Sequence, residues 1–232
     1  MALEGVRALS LAVNVPGPAA AARLRRHGLA VVKVEPPGGD PLARFCPAWY
    51  AALAAGQEVV ALDLKDADDR ARLDDLLAAT DLLLTSSRPG ALARLGLGPD
   101  DLRARHPRLC HVAIVGYPAP DGERPGHDLT YLADVGLAAP PDLPRTLLAD
   151  LAGGERAAAT GLALLLARER GGPAGRAEVA LADIAADFAA PWRHGLTGPG
   201  GVLGGGFPGY GLYRAGDGWV AVAALEPHFW AR

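Results

Sequence analysis

Through the first three-quarters of the chain, short runs that are apolar at nearly every position alternate with longer segments whose apolar residues recur at helical spacing. VRALSLAV (6–13), AVVKVE (30–35), EVVALDL (58–64), DLLLTS (81–86) and LCHVAIVG (109–116) read as strands. AAAARLRRHG (19–28), closed by Gly28, and DADDRARLDDLLAAT (66–80), with acids in its first turn, read as helices. Strands that are apolar throughout have both faces covered, and strands separated by helices pair in parallel. The pattern predicts an α/β fold built on an open, doubly wound, mostly parallel sheet of Rossmann-like type. Farther on, RPGHDLTYLA turns a loop into a helix, AAPPDLPRT is a Pro-rich connector, residues 150–172 form a long helix, and RAEVALADI (176–184) is a last strand.

From Pro191 the periodicity changes. TGPGGVLGGGFPGYG is a flexible or tightly turned linker, and GLYRAGDGWVAVAAL (211–225) is a β-hairpin around Gly-Asp-Gly. The expected organisation is a large α/β domain over 1–190, then a linker and the truncated start of a smaller domain over 191–232, ending in the helix-like LEPHFWAR.

Composition narrows the function classes. With 232 residues, 50% hydrophobic and 21% charged, the chain is long enough for a substantial core and has a globular balance. A net charge of −3 argues against a nucleic-acid partner, so any anionic ligand needs a local cluster of cations. Cys46 and Cys110 lie far apart and suit neither a disulfide framework nor a metal site; both are expected to be small buried hydrophobes in a cytoplasmic protein. No basic leader and no apolar run of membrane-spanning length is seen, so no membrane association is expected. The loop after the first strand is not a GxGxxG fingerprint, no strand leads into the glycine-rich segment 200–211, and GxSxG and HExxH are absent.

The remaining chemistry sits where loops become helices. His127–Asp128, Asp150 and Glu226 each open a helical segment, and each carboxylate is either a cap or an acid/base. Gly153 and Gly154 beside Asp150 are expected to let a ligand approach the backbone. Asn14-Val15-Pro16 follows the first strand, where α/β sheets bind ligands, and Arg88 follows the DLLLTS strand, where an arginine suits a phosphate.

Taken in order, LEGVRAL, PGPAAAARL, VVKVEPPGGDP, VALDLKDADDRARL, SSRPGALARLGLGPDDLRARHPRL, GHDLTYLA, LADLAGG and GLYRAGDGWVAVAALEPHFW resemble the family III CoA-transferases, the CaiB/BaiF group. The resemblance implies that Asp150 is the carboxylate shared by both branches of the family, a nucleophile in transferases and a proton carrier in racemases. GHD and the EP-x-F glutamate, Glu226, look like the α-methylacyl-CoA racemase branch. That assigns His127 as an acid/base supported by Asp128, with enolate donors from the helix start at Gly126–Leu129. The implied CoA contacts are Asn14, Val15, Pro16, Leu62, Lys65 and Arg88, with coenzyme A thioester as substrate and no prosthetic group or metal. Pro36, residues 54–58 and Pro118 depart from the pattern, removing two cations that relatives direct at the nucleotide. The family forms interlocked homodimers, so a second copy or a partner chain is expected to supply the missing C-terminal part. The expected activity is inversion at C2 of a 2-methylacyl-CoA. The alternatives are CoA transfer through Asp150, and a catalytically silent CoA-binding or assembly subunit.

Overall fold

The computed structural model describes residues 3–230. Six strands, β1 (Arg7–Ser10), β2 (Ala30–Glu35), β3 (Glu58–Ala61), β4 (Leu82–Thr85), β5 (Cys110–Val115) and β6 (Arg176–Ala180), form one sheet in the order β3-β2-β1-β4-β5-β6. All neighbouring pairs are parallel. This is the doubly wound α/β architecture that the strand composition predicts.

Alternate strand residues feed two cores. Ala8, Leu82, Leu84, Cys110, Val112 and Ile114 point to the face covered by α1 (Pro16–Arg26), α7 (Asp128–Asp134), α8 (Leu148–Glu169) and α9 (Leu181–Phe188). Leu9, Val34, Val60 and Leu83 point to the face covered by α4 (Ala67–Ala78), α5 (Pro89–Arg94) and α6 (Pro99–Arg105). The central strands β1, β4 and β5 are therefore apolar on both sides because both sides are buried, whereas the edge strands β3 and β6 are partly exposed.

Several boundaries differ from the sequence expectation. β1 ends at Ser10 and β3 at Ala61, so the apolar tails of 6–13 and 58–64 are loop residues at the sheet's carboxyl edge. The segment 176–184 is a strand only to Ala180. Leu181, Ile184 and Ala185 have helical spacing, are buried, and begin α9. Residues 41–54 fold into α2 (Pro41–Phe45) and α3 (Pro47–Ala54), each with proline at its first position, where its missing N–H costs nothing. Cys110 is buried, but Cys46, between these helices, is exposed.

Gly153 and Gly154 serve packing rather than ligand access. A Cβ at Gly153 would lie 2.3 Å from Leu181 Cδ2, and one at Gly154 would lie 2.9 Å from Ala19 Cβ and 3.0 Å from the Pro16 carbonyl oxygen. The glycines let the alanine face of α1 and α9 seat directly on α8. After α10 (Ala190–Arg193), residues 202–206 form a tight glycine coil, and β7 (Tyr210–Arg214) and β8 (Trp219–Ala223) pair antiparallel in a separate two-stranded sheet. The helical start expected in LEPHFWAR is the short α11 (Pro227–Trp230); the segment's last two residues lie outside the described residues.

Candidate functional site

Strand order reverses between β1 and β4, and a crevice at the carboxyl ends of adjacent strands is where sheets of this type bind ligands. Here the loops after β1 and β4 are tied across the crevice, the Val13 N–H donating to Ser86 Oγ at 2.9 Å. Asn14 follows in the left-handed region, with φ of 66°.

A buried ionic cluster holds that loop. Lys33 and Asp40 are both 0% exposed, with Nζ and Oδ2 2.8 Å apart. Lys33 also lies 3.1 Å from Glu35 Oε1 and donates to the Ala12 carbonyl at 3.4 Å. Asp40 accepts from the N–H of Asn14 at 3.0 Å and of Leu42 at 2.9 Å, capping α2. Burial pushes the Glu35 carboxyl up, but the Tyr50 hydroxyl, which donates to it, and Lys33 together hold it below the usual range. A single buried lysine thus anchors the loop on both sides of Val13.

At the crevice lies a cavity of about 240 Å³, with Asn14, Arg88, Arg124, His127, Tyr131 and Asp150 in its wall. His127 stands just before α7. Its backbone N–H donates to Thr130 Oγ1 at 3.0 Å, and the Thr130 hydroxyl donates back to the His127 carbonyl at 2.7 Å, leaving the exposed imidazole outside this exchange. Asp150 is the third residue of α8 and is half-buried.

Asp128 is 4% exposed and is turned toward α8. It accepts from the Asp150 N–H at 3.0 Å, with the N–H groups of Ala149 and Leu148 also directed at it. Leu147 precedes α8 and cannot cap it, so a carboxylate from the neighbouring helix does so. Burial pushes the Asp128 carboxyl up against the pull of these donors. Burial, and then the nearby charge of Asp128, push the Asp150 carboxyl from 3.8 to about 7. A group poised there exchanges protons readily at neutral pH.

The other sequence-predicted residues divide. Pro16 also lines the 240 Å³ cavity. Leu62 and Lys65 line a second cavity of about 290 Å³, which shares Val13 and Ser87 with the first. Pro36 lies there too. Lys65 and Arg88 are exposed, and among the described residues neither side chain has an ion-pair partner. Val15 instead packs into a small core with Ala22, Leu42 and Leu53. Glu226 is exposed before α11 and is not among the cavity residues. The helix start at Gly126–Leu129 borders the cavity, but α7 has only 7 residues and a correspondingly small dipole. Sequence reasoning missed Arg124, whose guanidinium stacks 4.1 Å from the Tyr117 ring centre, and Tyr131. It also missed the Lys33 cluster, whose visible signal was a lysine inside an otherwise apolar strand.

Known proteins resemble this chain in sequence and in fold. The family model described as CoA-transferase family III matches residues 3–232. A probable fatty acyl-CoA transferase of Mycobacterium tuberculosis is 36% identical over 205 residues, covering 79% of this chain and 51% of the relative. The human alpha-methylacyl-CoA racemase is 33% identical over 248 residues, covering 99% of this chain and 63% of the relative. The crystal structure of the mycobacterial protein superposes with a TM-score of 0.86 at 32% identity, over 98% of this chain and 67% of that one. The chain thus spans about half to two-thirds of the length of these curated relatives. Fold, switch-point cavity and sequence converge, and the chain belongs to CoA-transferase family III.

Proposed function

We propose that the protein is an acyl-CoA racemase or epimerase, inverting the α-carbon of a 2-methylacyl-CoA through an enolate. The observation that carries this reading is that Asp150, with its carboxyl pushed up to about 7, shares one cavity with His127. Removing an α-proton from a thioester needs a base on one side of the carbon, and returning it to the other side needs an acid there. His127 and Asp150 serve as that pair and exchange roles with the configuration of the substrate. Each such proton transfer contributes about 10²–10⁴-fold. Asp128 takes no proton in this scheme; it holds the α8 backbone and keeps Asp150 protonatable. The unpartnered Lys65 and Arg88 bind the CoA phosphates along the two adjoining cavities, with Asn14 and Pro16 walling the pantetheine end.

A homodimer fits this reading, because the β7–β8 hairpin leaves Leu212 and Trp219 about 70% exposed, at 71% and 69%. Glu226, on the same segment, then joins the chemistry only across the dimer. The direct test is incubation of a 2-methylacyl-CoA in D₂O: the reading requires deuterium at C2 together with loss of optical purity, and retention of protium ends it.

The second reading is CoA transfer, with Asp150 attacking the thioester to give a mixed anhydride and free CoA thiolate. It is favoured by the likeness to the mycobacterial relative named as a transferase. Hydroxylamine capture of an acyl group at Asp150 distinguishes it, because a proton carrier forms no acyl adduct.

A further inference from the structure

Tyr131 occupies the second turn of α7, and its position is over-determined. It is 2% exposed, yet it forms part of the wall of the 240 Å³ cavity. Its ring meets Tyr117 edge-on, with centres 5.2 Å apart and planes at 75°. Two glycines hold it on the cavity side. A Cβ at Gly116 would lie 2.6 Å from its hydroxyl oxygen, and one at Gly126 would lie 2.5 Å from its Cε1. Real Cβ atoms do not approach so closely, so the backbone is pressed against this phenol where any other residue would displace it.

The two tyrosines differ in what their hydroxyls do. Tyr117 donates to Asp134 Oδ2 at 3.0 Å. The Tyr131 hydroxyl forms no hydrogen bond with any described residue. The hydroxyl oxygen is not among the fully enclosed polar atoms that lack a partner, and the residue lines the cavity, so the donor is open to whatever occupies that space. Burial, and then the adjacent Asp150, push the phenol up to about 12, so it keeps its proton across the physiological range. The helix that carries it, α7, is too short to supply a strong dipole at this point.

We propose that Tyr131 is a catalytic residue whose hydroxyl donates a hydrogen bond to the thioester carbonyl oxygen of an acyl-CoA in this cavity. The phenol keeps its proton; only electron density moves, from the α-carbon or the attacking carboxylate onto that oxygen. The inference rests on acyl-CoA chemistry at this site but not on which reaction occurs, since enolate and tetrahedral intermediate alike place negative charge on the same atom.

The test uses the full chain and its Tyr131→Phe variant with 2-methylbutanoyl-CoA carrying ¹³C at the thioester carbonyl. Because the hydroxyl has no protein partner, the variant should unfold at the same temperature as the parent. Infrared difference spectra should show the bound carbonyl stretch at a higher frequency in the variant, the polarising donor having gone. Exchange at C2 should fall in kcat by about 10²–10³-fold, the usual loss for one oxyanion donor, with KM within twofold. An unchanged carbonyl frequency, an unaffected rate, or failure of the labelled thioester to bind overturns the proposal. So does a rate loss that merely shifts along the pH axis, which would make Tyr131 a positioning partner of Asp150. A parent chain that polarises the carbonyl through Tyr131 but exchanges no C2 hydrogen leaves the proposal standing and removes the racemase reading.

Discussion

Replacing Asp150 with asparagine should make the protein more stable while abolishing proton exchange, and the gain should depend on pH. The free carboxyl titrates at 3.8, and burial together with Asp128 pushes it to about 7 in the fold. Between those values the folded chain binds a proton that the unfolded chain does not. Stability therefore falls as pH rises from about 4 to 7, and it levels off above that. At 1.36 kcal/mol per pH unit, the ionised carboxylate weakens the fold by about 4 kcal/mol at pH 8, an upper bound because the half-buried site admits some water.

Asparagine has nearly the same shape and cannot ionise, so it escapes this penalty. The stability gap between variant and parent should widen by about 3 kcal/mol between pH 5 and pH 8. For a chain of this length that is roughly 6–12 °C in melting temperature. Urea unfolding of both proteins at the two pH values measures it, with equal slopes confirming that the denatured states are alike. A gap that stays flat with pH, or a variant less stable than the parent at pH 8, refutes the claim that Asp150 sits under electrostatic stress.

Other substitutions separate the roles of the neighbours. His127→Ala removes an exposed imidazole and should leave the unfolding free energy within about 0.5 kcal/mol of the parent while C2 deuterium exchange falls at least about 10²-fold, read by mass spectrometry. Asp128→Ala strips the acceptor from the first turn of α8; it should cost about 1–3 kcal/mol in urea unfolding, and it should move the acidic limb of the pH–rate profile to lower pH as Asp150 loses a neighbouring charge. Lys33→Met leaves Asp40 and Glu35 buried without their cation and should cost about 3–5 kcal/mol, while freeing the Asn14 loop and weakening CoA binding by calorimetry. Gly154→Ala drives a Cβ to 2.9 Å from Ala19 and should lower the melting temperature by the equivalent of about 1–3 kcal/mol through overpacking.

The sheet was legible because its signal is local and redundant. Uniformly apolar runs such as DLLLTS require two covered faces, whatever the rest of the chain does. The site was legible only where two conditions coincided, an ionisable residue and a helix boundary, as at His127, Asp128 and Asp150. Even there the role of Asp128 could not be read. Whether a carboxylate caps its own helix or the next one depends on how α7 and α8 abut, and no spacing along the chain encodes that. Gly153 and Gly154 misled for a related reason: a glycine that admits a ligand and a glycine that admits Ala19 look identical until the partner is known. Tyr131 was hidden inside a helical apolar pattern, where a tyrosine is normally core. Its exceptional feature, a hydroxyl with no acceptor, exists only in three dimensions. The end of β6 failed differently, since VALADI satisfies strand and helix alternation almost equally, and the packing of Ile184 and Ala185 against the α8 side resolved it.

The pairing of Asp128 with Asp150 explains how an acid at the third position of a long helix can stay protonatable. A free helix start would offer backbone N–H groups to Asp150 itself and hold it ionised, as it does for most acids in a first turn. Here Asp128 occupies those donors first, accepting the N–H of Asp150 at 3.0 Å. Asp150 is thereby denied the stabilisation its position would otherwise provide, and it also feels the like charge of Asp128. Two acids placed together cannot both ionise cheaply, and the one with the backbone donors ionises first. The consequence is a division of labour built from identical side chains: one carboxylate spends its charge on architecture, and the other is left near neutrality, able to take and return a proton.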